Sequence, residues 1–192
     1  SIYHEHIYYF TIESLSKVFC KYGLFPIDLF VSPISGGAIV LIFSKKQKKS
    51  STILKKFIRY EKNKNLNNLK TWIKFSKKVK IHRDKFKKLI LKKFKANGKM
   101  FAYGASARSS TLLNYANIDN QFIDFIIDQN KLKENFMTPG SNITILTFNK
   151  VSHLIKNYKS MILLAWNFKD EITKFLLEKK FKGEILAPFR KK

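Results

Sequence analysis

The chain has a single cysteine, Cys20, few glycines, and only 13 acidic residues against 38 basic ones. One thiol excludes an intrachain disulfide and supplies too few thiolates for a structural zinc site within these residues. It fits a reducing cytoplasm. No apolar run approaches the ~20 residues that span a bilayer, and no basic-then-apolar leader opens the sequence, so a soluble protein with no membrane partner is expected. The formal charge of +25 would ordinarily point to a polyanion. Yet lysine occurs in nearly every polar stretch, alongside many Asn, Ile and Phe, as a lysine-rich proteome would produce without such a ligand. No nucleic-acid partner is expected; a nucleic-acid binder, the alternative that rests on charge alone, predicts steeply salt-dependent binding of any sequence.

What is present suffices for a packed core: 45% of 192 residues are apolar. Ile12, Leu15, Val18 and Phe19 recur at helical spacing before Gly23, predicting one amphipathic helix. Two apolar, β-branched runs, Phe25 to Val31 and Ala38 to Phe43, flank Ser32-Pro33-Ile34-Ser35-Gly36-Gly37 and read as a hairpin. From Lys45 to Asn97 lysine and asparagine dominate while Leu54, Phe57, Ile58, Leu69 and Ile73 keep helical spacing, so two or three helices should form a bridge. Beyond it strand runs alternate with helical patterns: Lys99 to Tyr103, Ser109 to Ala116, Phe122 to Ile127, Met161 to Ala165, Asp170 to Lys179 and a last strand, Gly183 to Ala187. That alternation argues for an α/β fold with a parallel sheet and crossover helices.

Three motifs carry chemistry. Tyr3-His4-Glu5-His6 concentrates a phenol, two imidazoles and a carboxylate ahead of the first helix. A histidine near neutral pKa can take a proton while its neighbours orient it or hold developing charge. The plainer alternative is a polar turn that caps the helix, and the spacing is not the helical HExxH of zinc enzymes. Tyr103-Gly104-Ala105-Ser106-Ala107-Arg108-Ser109-Ser110-Thr111 follows a strand and opens a helix. Small residues there admit a ligand close to the backbone, free amides at the helix start attract phosphate, and Arg108 adds a fork of donors. Asp128 ends the next strand, where an acid commonly meets a ribose or sugar hydroxyl. A tight strand-to-helix turn without a ligand is the alternative. Leu163-Leu164-Ala165-Trp166-Asn167-Phe168 places an indole and an amide at another strand end. Alternatively, Trp166 and Phe168 are core and Asn167 caps the following helix. Thr138-Pro139-Gly140 is an ordinary turn signal.

In order, YHEH, the Gly-Gly hairpin, YGASAR..TLLNY, DQNKLK, TPG and LLAWNF resemble the C-terminal half of the C-methyltransferases that modify nucleotide-linked deoxysugars. The resemblance implies residues 1–44 as the last helix and hairpin of a class I methyltransferase domain, 45–95 as a helical linker and 96–192 as a Rossmann-like C-terminal domain. It implies an enzyme whose S-adenosylmethionine site and cysteine-rich zinc segment lie mostly or wholly ahead of this chain. The opening on Ser1, directly at a polar motif, suggests such a fragment boundary, and the fragment alone would be inactive. The missing N-terminal half is then an expected partner, and a nucleoside-diphosphate 4-keto sugar the expected substrate. On the matching positions His6 would be the base, with Glu5 and Tyr3 positioning it or stabilising an enolate. Ser106, Arg108 and Thr111 would lie near the nucleotide or pyrophosphate, with Asp128, Trp166 and Asn167 at the same sheet edge. The chain departs from the family pattern at Ser35, Val40, Ser109-Ser110 and Arg190, where His, Arg, Gly-Asn and Pro are usual. A non-catalytic nucleotide-sugar-binding module or degenerate remnant of the family is the alternative.

Overall fold

Strands rich in branched apolar residues and separated by helical patterns assemble here into one parallel sheet, in a computed structural model that describes residues 6–33 and 37–189. The chain divides into two compact units, residues 7–79 and residues 80–192 together with His6, one boundary falling inside a long helix.

In the first unit, α1 (Ile12–Cys20) begins where Thr11 and Ser14 form a reciprocal capping box: Ser14 N–H donates to Thr11 Oγ1 at 3.1 Å and Thr11 N–H to Ser14 Oγ at 2.9 Å. Strands β1 (Phe25–Ser32) and β2 (Ala38–Ser44) pair antiparallel, with Leu29 opposite Leu41. Helix α2 (Thr52–Asn63), capped by Ser51, lays Leu54 against Leu29 and Ile12. A buried charge completes the unit. The carboxylate of Glu61, 7% exposed, accepts the Ile12 N–H at 2.8 and 3.0 Å, so α2 supplies an acceptor for an amide that the first turn of α1 cannot satisfy itself. The Lys45–Asn97 stretch therefore holds two helices, α2 and α3 (Leu69–Asn97), and α2 shares a core with the hairpin.

In the second unit the sheet runs β5-β4-β3-β6-β7, from β3 (Met100–Tyr103), β4 (Ile123–Ile127), β5 (Thr144–Leu146), β6 (Ser160–Leu163) and β7 (Glu184–Leu186), all parallel. Alternate side chains face opposite ways and fill two cores. Met100, Ala102, Ile126 and Ile162 meet Phe86 and Ile90 of α3 and Leu112 and Leu113 of α4 (Ala107–Ala116). Phe101, Tyr103, Ile127 and Leu163 meet Val151 of the short α5 (Phe148–Val151) and Ile172 and Leu176 of α6 (Lys169–Glu178). This is a Rossmann-like α/β fold. The order reverses between β3 and β6, the point where such sheets open a crevice at their carboxyl edge. Strand β5 escapes the period-two reading because it is only three residues long and sits at the sheet edge.

Glu61→Ala should strip the Ile12 amide of its buried acceptor and cost about 1–3 kcal/mol, read as a lower urea midpoint with an unchanged slope.

Candidate functional site

The turn after β3 is built for closeness. Gly104 has φ +100°, and a Cβ placed on it would stand 2.5 Å from Ala165 Cβ and 2.9 Å from Ala165 N. The amides of Leu164 and Ala165 both donate to the Tyr103 carbonyl, at 2.9 and 3.0 Å, while Gly104 N–H donates to the Ile127 carbonyl at 2.8 Å. The ends of β3, β4 and β6 are thus joined backbone to backbone at the point of order reversal, which only a residue without a side chain permits.

Ala105 follows, its N–H donating to Asp128 Oδ2 at 2.8 Å and its carbonyl accepting from Lys133 Nζ at 2.7 Å. Ser106 is the N-cap of α4. Ser109 N–H donates to Ser106 Oγ at 3.2 Å and Ser106 N–H to Ser109 Oγ at 3.3 Å, closing a capping box around the fully buried Ser109. Serine at 109, one of the departures from the family pattern, therefore has a structural use. Thr111 Oγ1 donates back to the Ala107 carbonyl at 3.0 Å. The amides of Ala107 and Arg108 find no acceptor among the described residues, and the half-buried Arg108 makes no hydrogen bond or ion pair with them. Two free amides, the positive end of a ten-residue helix and an unpaired guanidinium make this edge favourable to an anion.

Beside α4 lies an open groove of about 660 Å³, walled by Ser106, Ala107, Ser110, Thr111 and Asn114 on one side and Thr138-Pro139-Gly140 on the other. Asn114 bridges the walls, its Nδ2 donating to the Ser110 and Pro139 carbonyls at 2.8 and 2.9 Å. Gly140, at φ +78°, leaves room for that amide; a Cβ there would fall 2.1 Å from Asn114 Oδ1. Thr138 Oγ1 accepts the Ile143 N–H at 3.1 Å and lies 2.7 Å from Ser141 Oγ, so the turn is rigid in itself.

Trp166 and Asn167 lie in a 3-10 turn, Trp166–Phe168, just beyond β6. Trp166 is half-buried and meets the Phe189 ring at 4.7 Å; Phe189 in turn stacks on His82, whose Nε2 is 2.7 Å from the Pro188 carbonyl. Asn167 is exposed and caps nothing: the N-cap of α6 is Phe168, without a side-chain bond and 55% exposed, so Phe168 is not core either.

Residues 33–187 match the family of the C-methyltransferase C-terminal domain. The chain belongs to that family. It is also similar to the C-methyltransferase NovU of Streptomyces niveus, 29% identical over 176 residues that make up 90% of this chain and 41% of NovU. The chain thus spans well under half the length of that curated relative.

In this C-methyltransferase C-terminal domain the six residues expected at the sheet edge gather in two places, Ser106, Arg108, Thr111 and Asp128 at the β3 and β4 ends and Trp166 and Asn167 at the β6 end. Tyr3, His4 and Glu5 lie outside the described residues, as do Ser35, Gly36 and Arg190; His6 is exposed in the non-helical stretch ahead of α1. Sequence reasoning missed Lys133, Asn114 and the wall formed by the TPG turn, although Lys133 stands inside the DQNKLK string. Burial pushes the Tyr103 hydroxyl above the usual phenol range, so this phenol beneath the edge stays protonated.

A methyltransferase family implies S-adenosylmethionine as the general methyl donor. The described residues do not fit it: the βα turn of small residues after β3 has one glycine, and the acid after it is engaged with Ala105 and Lys133. Nor do they fit zinc, since among the described residues no three His, Cys, Asp or Glu side chains cluster, and Cys20 is exposed. Among them, too, no helix is long and apolar enough to cross a membrane.

Gly140→Ala should force Asn114 out of its bridge and strain a positive φ, costing about 1–3 kcal/mol in thermal or urea unfolding and speeding amide exchange across residues 138–142.

Proposed function

We propose that the chain is the carboxy-terminal part of an S-adenosylmethionine-dependent C-methyltransferase acting on a nucleoside-diphosphate 4-keto-deoxysugar, with the β3–α4 edge receiving the diphosphate. The observation that carries this is the unpaired Arg108 beside the two free amides at the start of α4, at the reversal point of the sheet. Such an edge offers charge-assisted bonds to phosphate oxygens at little reorganisation cost. Ser106 and Thr111 would line its rim, and Trp166 and Asn167 would contact the sugar from the β6 end.

The 4-keto group acidifies the neighbouring carbon. His6 takes that proton, and the bonding pair moves to give an enolate, whose charge Tyr3 and Glu5 hold or whose base they orient. Bound ahead of this chain, the donor would supply an electrophilic methyl group.

That donor region is the expected partner. Its contact with the hairpin is supported by the exposed Phe30, Val31, Ile39 and Ile42, on strands that pair with no third strand among the described residues. The lone exposed Cys20 suits a reducing cytoplasm.

Calorimetric titration of the chain with a thymidine-diphosphate sugar should show binding, weakened about tenfold or more in Arg108→Ala by loss of a charged hydrogen bond. Titration with S-adenosylmethionine should be silent. Binding of duplex DNA alone would overturn the reading in favour of a polyanion binder. In a protein that also carries the preceding region, His6→Ala should lower methyl transfer by about 10²–10⁴-fold while sugar-nucleotide affinity holds.

A further inference from the structure

In the turn made of Gly104, Ala105 and Ser106 only the small Ala105 side chain packs into the core, yet the turn must present the α4 amides in one place. Its middle residue is gripped on both sides. The Ala105 N–H donates to Asp128 Oδ2 at 2.8 Å, and the Ala105 carbonyl accepts from Lys133 Nζ at 2.7 Å. Lys133 Nζ also stands 3.3 Å from the same Asp128 oxygen.

The grip closes on itself. Asp128 Oδ1 accepts the Asn130 N–H at 2.9 Å, and Asn130 Oδ1 accepts the Leu132 N–H at 3.0 Å, which starts the 3-10 turn Lys131–Lys133 and carries the lysine back over the carboxylate. The Asp128 side chain is 15% exposed and each of its oxygens already has a partner. It sits where an acid would otherwise take ribose hydroxyls, but its oxygens are engaged by the protein's own Ala105 and Asn130 amides and by Lys133. A bare carboxylate under this turn would also repel a phosphate, and Lys133 offsets that charge.

We infer that Asp128 and Lys133 are a clamp on the Ala105 backbone: Lys133 is a positioning residue for the anion-receiving turn, and Asp128 is not a reader of ribose hydroxyls. The inference rests on the proposed diphosphate site, and it adds a specificity: uridine diphosphate and its 2′-deoxy counterpart bind alike, because the Asp128 oxygens are engaged by the Ala105 and Asn130 amides and by Lys133.

Two measurements on the full chain decide it. Lys133→Met should weaken thymidine diphosphate about tenfold, the loss of a charge-assisted bond holding the turn, and Lys133→Arg should restore most of that affinity because a guanidinium can still bridge carbonyl and carboxylate. Amide exchange at Ala105 should accelerate in Lys133→Met and Asp128→Asn while the sheet amides keep their protection. Unchanged nucleotide affinity and unchanged Ala105 exchange in Lys133→Met would overturn the clamp, and a tenfold or greater preference for the ribonucleotide would overturn the role given to Asp128. If the unaltered chain binds no nucleotide diphosphate, the site reading falls, and exchange at Ala105 alone still decides whether the clamp exists.

Discussion

The contact on which the carboxy-terminal unit depends is the meeting of Gly104 with Ala165, where a Cβ on the glycine would come within 2.5 Å of its neighbour. Two parallel strands that leave in opposite directions normally open a crevice at their ends. Here the amides of Leu164 and Ala165 both turn to the Tyr103 carbonyl, so the ends are locked together before either loop departs. With the strand ends locked, α4 starts in a fixed place on one side and the Trp166 turn on the other. The groove beside α4 and the aromatic stack of Trp166, Phe189 and His82 both take their positions from it.

Around this junction the polar groups do structural work that a residue-by-residue reading of function would assign to ligands. Ser106 caps α4, Ser109 returns the bond, Thr111 bonds its own helix, and Asp128 holds Ala105. Among the described residues, the Ala107 and Arg108 amides and the Arg108 guanidinium stay unengaged at the start of α4, and all are donors. A helix start whose free groups are these donors is complementary to an anion.

The first unit obeys a different economy. Its three-residue core of Ile12, Leu29 and Leu54 is small, and it is reinforced by a buried carboxylate capping the start of α1. Its hairpin carries exposed apolar residues on a sheet of two strands.

Much of the architecture was legible in the sequence because it follows from local patterns. The branched strand runs and the helical spacing of α1, α2 and α4 each act over one or two turns of chain. The family was legible too, from the order of short motifs. Tertiary structure decided the rest. Strand β5 is too short to carry a period. The site residues Lys133 and Asn114 act across 28 and 25 residues of chain, on Ala105 and Pro139, and no spacing rule reaches that far. Asp128 shows the division most clearly: its place at a strand end was readable, but its use depended on which backbone amide the folded chain brought within 2.8 Å. A sequence determines which groups it carries and the local shapes they favour, whereas their partners are settled only when distant segments meet and each buried polar group must find one.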